Sequence, residues 1–289
     1  KIWPPATHPR SPMSKNLRAL PVLGLLALAS CGGGGSASSS SQAVFELETC
    51  TLGCGGGSCA VRQLNTNSDI IFTFNDRVEA SSVSFSEINL TSTADGGSPT
   101  GRFLVDGSTI IFRPSYQDTS EGVSFGFDES TEYTLNLFAS PADDAVVRSS
   151  IGRPNTTPIR CTFTATGIQD FVPGAPSVTV FPSESTPPTS RDFNVSLVFD
   201  DVIRSIQLLD PDGSSPTVAV SLVSVGGTGG ETVFPFEGEF TFDVDIDTRQ
   251  TTLTFVPIAQ FPTGGEGTRL LRVDVSNQIG DLVGNRLLN

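Results

Sequence analysis

The sequence predicts an all-β chain with one β domain in each half, on three observations. Apolar and polar residues alternate in short segments bounded by Gly, Pro, Asp and Ser, which is the period-two pattern of half-buried strands. No long stretch repeats apolar residues at helical spacing. The aromatic content is 20 Phe with only two Tyr and one Trp, set among many Val, Ile and Thr, the residue types that suit a pleated surface. Together these describe a sandwich or barrel architecture. With 289 residues, the chain is long enough to bury two separate cores.

The first 43 residues stand outside that pattern. Residues 1–12 hold four prolines and no periodicity, and Met13 is the only methionine. Translation is therefore expected to start at Met13, with 1–12 an upstream extension. Residues 13–30 read as a secretory signal. Lys15 and Arg18 charge its start, and Ala19 to Ala29 form an apolar run too short to span a bilayer, which needs roughly 20 residues. The run ends Leu28-Ala29-Ser30-Cys31, followed by Gly32 to Gly35 and a serine-rich stretch. This segment resembles the lipobox of bacterial lipoproteins. The resemblance implies that Cys31 is acylated and becomes the mature N-terminus, with 31–43 as a flexible Gly/Ser tether. It also implies a bacterial cell-envelope location, anchored to a membrane through the acyl chains. Gly32, standing where an inner-membrane retention aspartate would be, points to the outer membrane if the host has one.

From residue 44 the strands come in order. Asp69 to Phe74 alternates and ends at Asn75-Asp76. Arg102 to Val105 and Ser108 to Phe112 flank Asp106-Gly107, a hairpin signal. Glu132 to Phe138 and Arg160 to Thr166 follow. A Gly/Pro-rich joint at 169–176 separates a first domain at 44–168 from a second at 177–289. The second half repeats the first. Ile70 to Val78 aligns with Val195 to Ile203, Thr109 to Pro114 with Thr252 to Pro257, and Tyr133 to Leu137 with Leu270 to Val275. The order of a strand ending in Phe plus acid, a hairpin ending in strand-Pro, a Tyr/Leu strand and a D-x-x-G-N turn resembles the SbsA-type bacterial Ig-like family of S-layer proteins. It implies two tandem Ig-like β-sandwiches. The turn is Asp281-Leu282-Val283-Gly284-Asn285 in the second half; in the first, Asp143-Asp144 is followed by no Gly-Asn. Arg286-Leu287-Leu288 is expected either to be a short last strand or to lead into a longer protein.

Charge limits the chemistry. The whole chain carries −14. Removing residues 1–30 takes out Lys1, Arg10, Lys15 and Arg18, and also His8, leaving 13 Arg against 31 acidic residues, a net charge of −18. An acidic surface argues against nucleic acid. Without His or Lys there is no Ser-His-Asp triad, no Cys-His dyad and no Schiff-base lysine. Gly55-Gly56-Gly57 lacks the Lys of a phosphate loop, so no nucleotide is expected. Paired carboxylates could hydrolyse a glycoside, but nothing in the sequence sets a pair at a useful separation.

Four cysteines follow the tether: Cys50, Cys54, Cys59 and Cys161. An even number in an exported domain reads as two disulfides with three possible pairings. One bridge is expected to join the two ends of the first domain, which favours Cys50 with Cys161 and Cys54 with Cys59; a four-cysteine zinc site is the alternative. Asp243, Asp245 and Asp247 alternate with Phe242, Val244 and Ile246, and are expected to form a solvated outer face. If calcium binds, the candidates are the loop carboxylates near the joint, Asp170, Asp200 and Asp201. The resulting expectation is a non-catalytic envelope lipoprotein. Its domains would serve as a structural spacer or as adhesion modules for an envelope protein or glycan. The rival expectation is the N-terminal stalk of a larger secreted enzyme continuing past residue 289.

Overall fold

Alternation becomes burial strand by strand. In Ile70–Phe74 the side chains of Ile70, Phe72 and Phe74 are at most 2% exposed, while Ile71 and Thr73 are half-buried. The computed structural model describes residues 44–55, 57–183, 190–225, 230–262 and 269–288. The expected extension, signal, Cys31 and tether lie outside the described residues. Within the described residues, no helix is long and apolar enough to cross a membrane.

The first set of strands runs β1 (Leu47–Cys50), β2 (Cys54–Gly55), β3 (Ser58–Cys59), β4 (Gln63–Asn65), β5 (Ile70–Phe74) and β6 (Ile88–Ser92). It continues with β7 (Gly101–Asp106), β8 (Thr109–Pro114), β9 (Tyr116–Thr119), β10 (Gly122–Phe125), β11 (Glu132–Leu137) and β12 (Ile159–Thr166). One sheet has the order β1-β5-β8-β7 and the other β4-β12-β11-β6, with β9 and β10 as a separate hairpin. Both sheets feed one core that contains Phe45, Phe72, Phe112, Phe127, Tyr133 and Phe163. Phe127 sits at its centre, with its ring 5.1 Å from Tyr133 and 5.6 Å from both Phe112 and Phe163. Each such ring contributes about 1.5–3 kcal/mol through burial.

The second set is β13 (Val178–Phe181), β14 (Val195–Phe199), a single helical turn α1 (Ser205–Leu208), β15 (Val218–Val225), β16 (Glu231–Pro235), β17 (Gly238–Asp245), β18 (Gln250–Pro257) and β19 (Arg269–Val275). Its sheets are β13-β14-β18-β17 and β16-β15-β19. They enclose a separate core with Val195, Leu197, Phe199, Leu253, Phe255 and Ile279. The all-β sandwich architecture expected from the sequence is therefore present.

The repeat is topological as well as linear. β5 pairs with β8 as β14 pairs with β18, and β7 closes on β8 as β17 closes on β18. The expected Asp106-Gly107 turn links β7 to β8, with Gly107 at φ +59°, where a side chain would be strained. Gly101 opposes Pro114 and Gly238 opposes Pro257. A Cβ at either glycine would run into the ring of Phe112 or Phe255. Each half thus lays a core phenylalanine across a glycine on its hairpin partner.

The disulfides are Cys50–Cys54 and Cys59–Cys161, which corrects the favoured pairing. Cys50 ends β1 in the sheet opposite β12 and pairs in register with Phe72. The β2–β3 hairpin instead brings Cys59 inward, 5.5 Å in Cα–Cα distance from Cys161. The cross-strand neighbours Cys54 and Cys59 are in register but bond elsewhere. With all four thiols in disulfides, no thiolate remains for the zinc alternative. Arg286 to Leu288 form no strand: Arg286 makes one isolated bridge to Gly280, and Leu287 is buried.

Candidate metal centre at the joint

The segment between β12 and β13 is bonded to both sandwiches. On the first, the Asn67 amide donates to the Gln169 carbonyl at 2.8 Å and accepts the Gln169 N–H at 2.9 Å. On the second, the Asn285 amide donates to Asp170 Oδ2 at 2.9 Å. Asp170 itself accepts N–H groups from Val172 and Gly174, an Asx-type turn.

A second line of contact crosses between the sandwiches. Arg113 on β8 donates to Asp69 at 2.9 Å and, from the same guanidinium, to Asp247 at 2.6 Å. Arg102 on β7 also reaches Asp247. Arg249 lies 5.3 Å over the Phe171 ring. At the start of α1, the Ser205 N–H donates to Asp118 of β9. Asp243 and Asp245 are exposed, as a solvated face requires. Asp247 departs from that expectation, because the hairpin after β17 carries it to two arginines of the other sandwich. Hydrogen bonds from Arg113, then from Arg102, hold its carboxyl below the usual carboxylate range. A folded-state pKa below the unfolded one contributes stability at neutral pH, and that contribution is lost as pH falls through the folded value. Asp247 is half exposed, so the expected cost of Asp247→Asn is about 1 kcal/mol or less at pH 7. The gap from wild type should narrow as pH falls below the ordinary carboxylate range, read as denaturant midpoints at pH 7 and in acid.

The carboxylates Asp170, Asp201 and Asp281 converge at the joint, each offering an oxygen within 4.8 Å of the others. Asp201 is 1% exposed and Asp281 3% exposed; Asp170 is half-buried. Asp201 follows β14, and a bridge between Ile203 and Asp281 brings the two chain segments together. Asp281 Oδ1 accepts the N–H groups of Val283, Gly284 and Asn285 at 2.7–2.9 Å, and its Oδ2 accepts the Asn285 amide at 2.7 Å. Asp201 Oδ1 accepts the Val202 N–H at 2.6 Å, whereas its Oδ2 is buried with no hydrogen-bond partner. Burial, followed by the negative charges of Asp281, Asp170 and Asp200, pushes the Asp201 carboxyl up to about 6, although the Val202 N–H opposes the shift. Among the described residues, no recorded ion pair joins an arginine to any of the three.

Of the three calcium candidates, the structure brings Asp170 and Asp201 together and sends Asp200 elsewhere. Asp200 and Asp201 are consecutive, so when one turns inward the other faces out. Asp200 is exposed and accepts the Ser177 N–H at 2.6 Å and the Ser177 hydroxyl at 2.7 Å. Asp281 was legible only as part of a turn.

The first sandwich makes the same turn without the Gly-Asn motif. Ser149 N–H donates to the Arg153 carbonyl, Gly152 N–H to the Ser149 carbonyl, and Arg153 N–H to Ser149 Oγ. Asp281, Gly284 and Asn285 make the same three bonds. Val78 bridges Ser149 as Ile203 bridges Asp281. The turn was hidden because Ser and Arg stand where the second sandwich has Asp and Asn.

No protein-family model matches the chain, and no curated protein sequence matches it either. Among solved structures, the N-terminal part of the bacterial S-layer protein SbsC is 13% identical with a TM-score of 0.26, covering 81% of this chain and 44% of that one. The chain thus spans less than half of that structure. The C-terminal domain of the Streptococcus agalactiae AgI/II polypeptide BspA is 9% identical with a TM-score of 0.13, covering 81% of this chain and 99% of that one. Likeness at this level says nothing of a ligand or a partner.

Proposed function

We propose that the chain is a non-catalytic cell-envelope lipoprotein, anchored through Cys31, whose two sandwiches form a structural spacer. The observation that carries this reading is the joint. Interdomain connections are ordinarily mobile, whereas here the connecting segment is bonded to Asn67 on one side and Asn285 on the other. Arg113 adds a bridge from Asp69 to Asp247. A spacer sets a distance, and a fixed joint is what that task needs. An adhesive role draws support from a different feature. β16 lies at a sheet edge with all five residues exposed, Val233 and Phe234 among them, and such an edge can accept an added strand.

The test is mass spectrometry of the host membrane fraction. The proposal expects a mature N-terminus at an acylated Cys31, and release of the protein to the medium in a Cys31→Ser variant. An unmodified N-terminus on a protein found in the medium would sink the anchored reading. A native chain carrying a catalytic domain after residue 289 would make these sandwiches an enzyme's stalk.

A further inference from the structure

We propose that Asp170, Asp201 and Asp281 bind one calcium ion, which ties the connecting segment to the second sandwich. This goes beyond the spacer reading and does not depend on it.

The first support is Asp201. A carboxylate oxygen buried with no donor is among the costlier things a fold can keep. Asp201 Oδ2 is in that condition, and the Asp201 carboxyl converges with those of Asp170 and Asp281. Three carboxyl groups whose oxygens converge without an arginine ion pair can share one cation. The separation fits one: calcium sits about 2.3–2.6 Å from each oxygen, so two ligands on opposite sides are up to about 5 Å apart, and these oxygens lie within 4.8 Å.

The second support is the comparison inside the molecule. The turn itself does not require an aspartate, since Ser149 closes the same hydrogen bonds in the first sandwich. At the position of Asp201 the first sandwich has Asp76, half-buried, whose Oδ1 accepts the Arg77 N–H just as Asp201 accepts that of Val202. There the residue types around the turn are Asp76, Ser149 and Arg153, which sum to neutral. In the second sandwich they are Asp201, Asp281 and Asn285, and the joint adds Asp170, for a charge of −3 when all are ionised. Thus the same backbone carries a net negative charge only where it meets the connecting segment.

An all-oxygen site of three carboxylates suits a hard cation. Calcium tolerates irregular geometry with six to eight ligands, whereas magnesium demands a near-ideal octahedron. Asp170 is half-buried, so the site is open to solvent on one side. Asn285 bonds to both Asp170 and Asp281, and so positions two of the three ligands.

The experiment is calorimetric titration of the chelator-stripped chain with calcium chloride at pH 7.5, alongside thermal melts. We expect one site per chain with an affinity of about 10⁻⁴–10⁻³ M, as in extracellular modules. The melting temperature should rise by about 5–10 °C at a hundredfold excess over Kd. Asp201→Asn should cut affinity at least tenfold and abolish the rise. Asp281→Ser should do the same while remaining folded, because serine serves the equivalent turn. Asp200→Asn should bind as wild type does. The proposal is overturned if the folded wild type gives neither heat nor shift at 10 mM calcium, or if Asp201→Asn and Asp281→Ser retain the shift. An equal response to magnesium overturns the choice of calcium. If Asp201→Asn gains the same stability with chelator and with calcium, Asp201 is simply a buried neutral acid and the cation site is refuted.

Discussion

Removing the Cys59–Cys161 disulfide is expected to unfold the first sandwich and leave the second standing. The bridge closes a loop of 102 residues, and cross-linking a loop of that size stabilises by about 4–5 kcal/mol in the chain-entropy account. Both cysteines are also at most 6% exposed and belong to the first core, whose residues are separate from those of the second. The Cys50–Cys54 bridge spans only four residues, so its loss should cost about 2 kcal/mol or less. The comparison to make is guanidinium unfolding of a Cys59→Ala/Cys161→Ala variant against a Cys50→Ala/Cys54→Ala variant. The first should split the transition in two, with the second sandwich unfolding at its wild-type midpoint. Equal losses in the two variants would contradict the assigned pairing.

The second large effect is expected at matched core positions. Phe112 and Phe255 occupy equivalent places on β8 and β18, each at most 2% exposed and each lying across a glycine of the adjoining hairpin strand. Phe112 also packs at 5.2–5.7 Å against Phe85, Phe103 and Phe127, and Phe255 at 5.1 Å against Phe240. Truncation to alanine removes the ring and opens a cavity above the glycine, at a cost of about 3–5 kcal/mol. Phe112→Ala should lower the unfolding of the first sandwich alone, and Phe255→Ala that of the second alone, as resolved by differential scanning calorimetry. If either substitution lowers one common transition, the joint couples the sandwiches into a single cooperative unit and the separate-core account fails.

How much was legible depended on the range of the interaction. Ile70 to Phe74, Thr109 to Pro114 and Tyr133 to Leu137 announce themselves because strand burial has a period of two along the chain. Asp106-Gly107 does so because a tight turn has a local residue preference. The halves align because the same local patterns recur in the same order. Cysteine spacing also reports a disulfide framework, but it cannot report pairing. That depended on which sheet each flanking strand joined, and β1 joined the sheet opposite Cys161.

The candidate site was half legible for the same reason. Asp170 and Asp201 could be placed near a joint by composition. Their convergence with Asp281, and the diversion of Asp200 to Ser177, follow from a bridge between Ile203 and Asp281, 78 positions apart in the numbering. The turn at Ser149 was missed because its hydrogen-bond pattern survives a change of side chain that erases the motif. Asp247 was read as a solvated acid because nothing in its own strand reveals the two arginines of the other sandwich.

The sequence by itself therefore determined the strands, the two-fold repeat and the acidic composition, since each depends on composition or on neighbours along the chain. Only the tertiary structure decided the disulfide pairing, the arginine clasp on Asp247 and the meeting of Asp170, Asp201 and Asp281. Those depend on electrostatic and steric proximity between segments far apart in sequence, which a linear pattern does not encode.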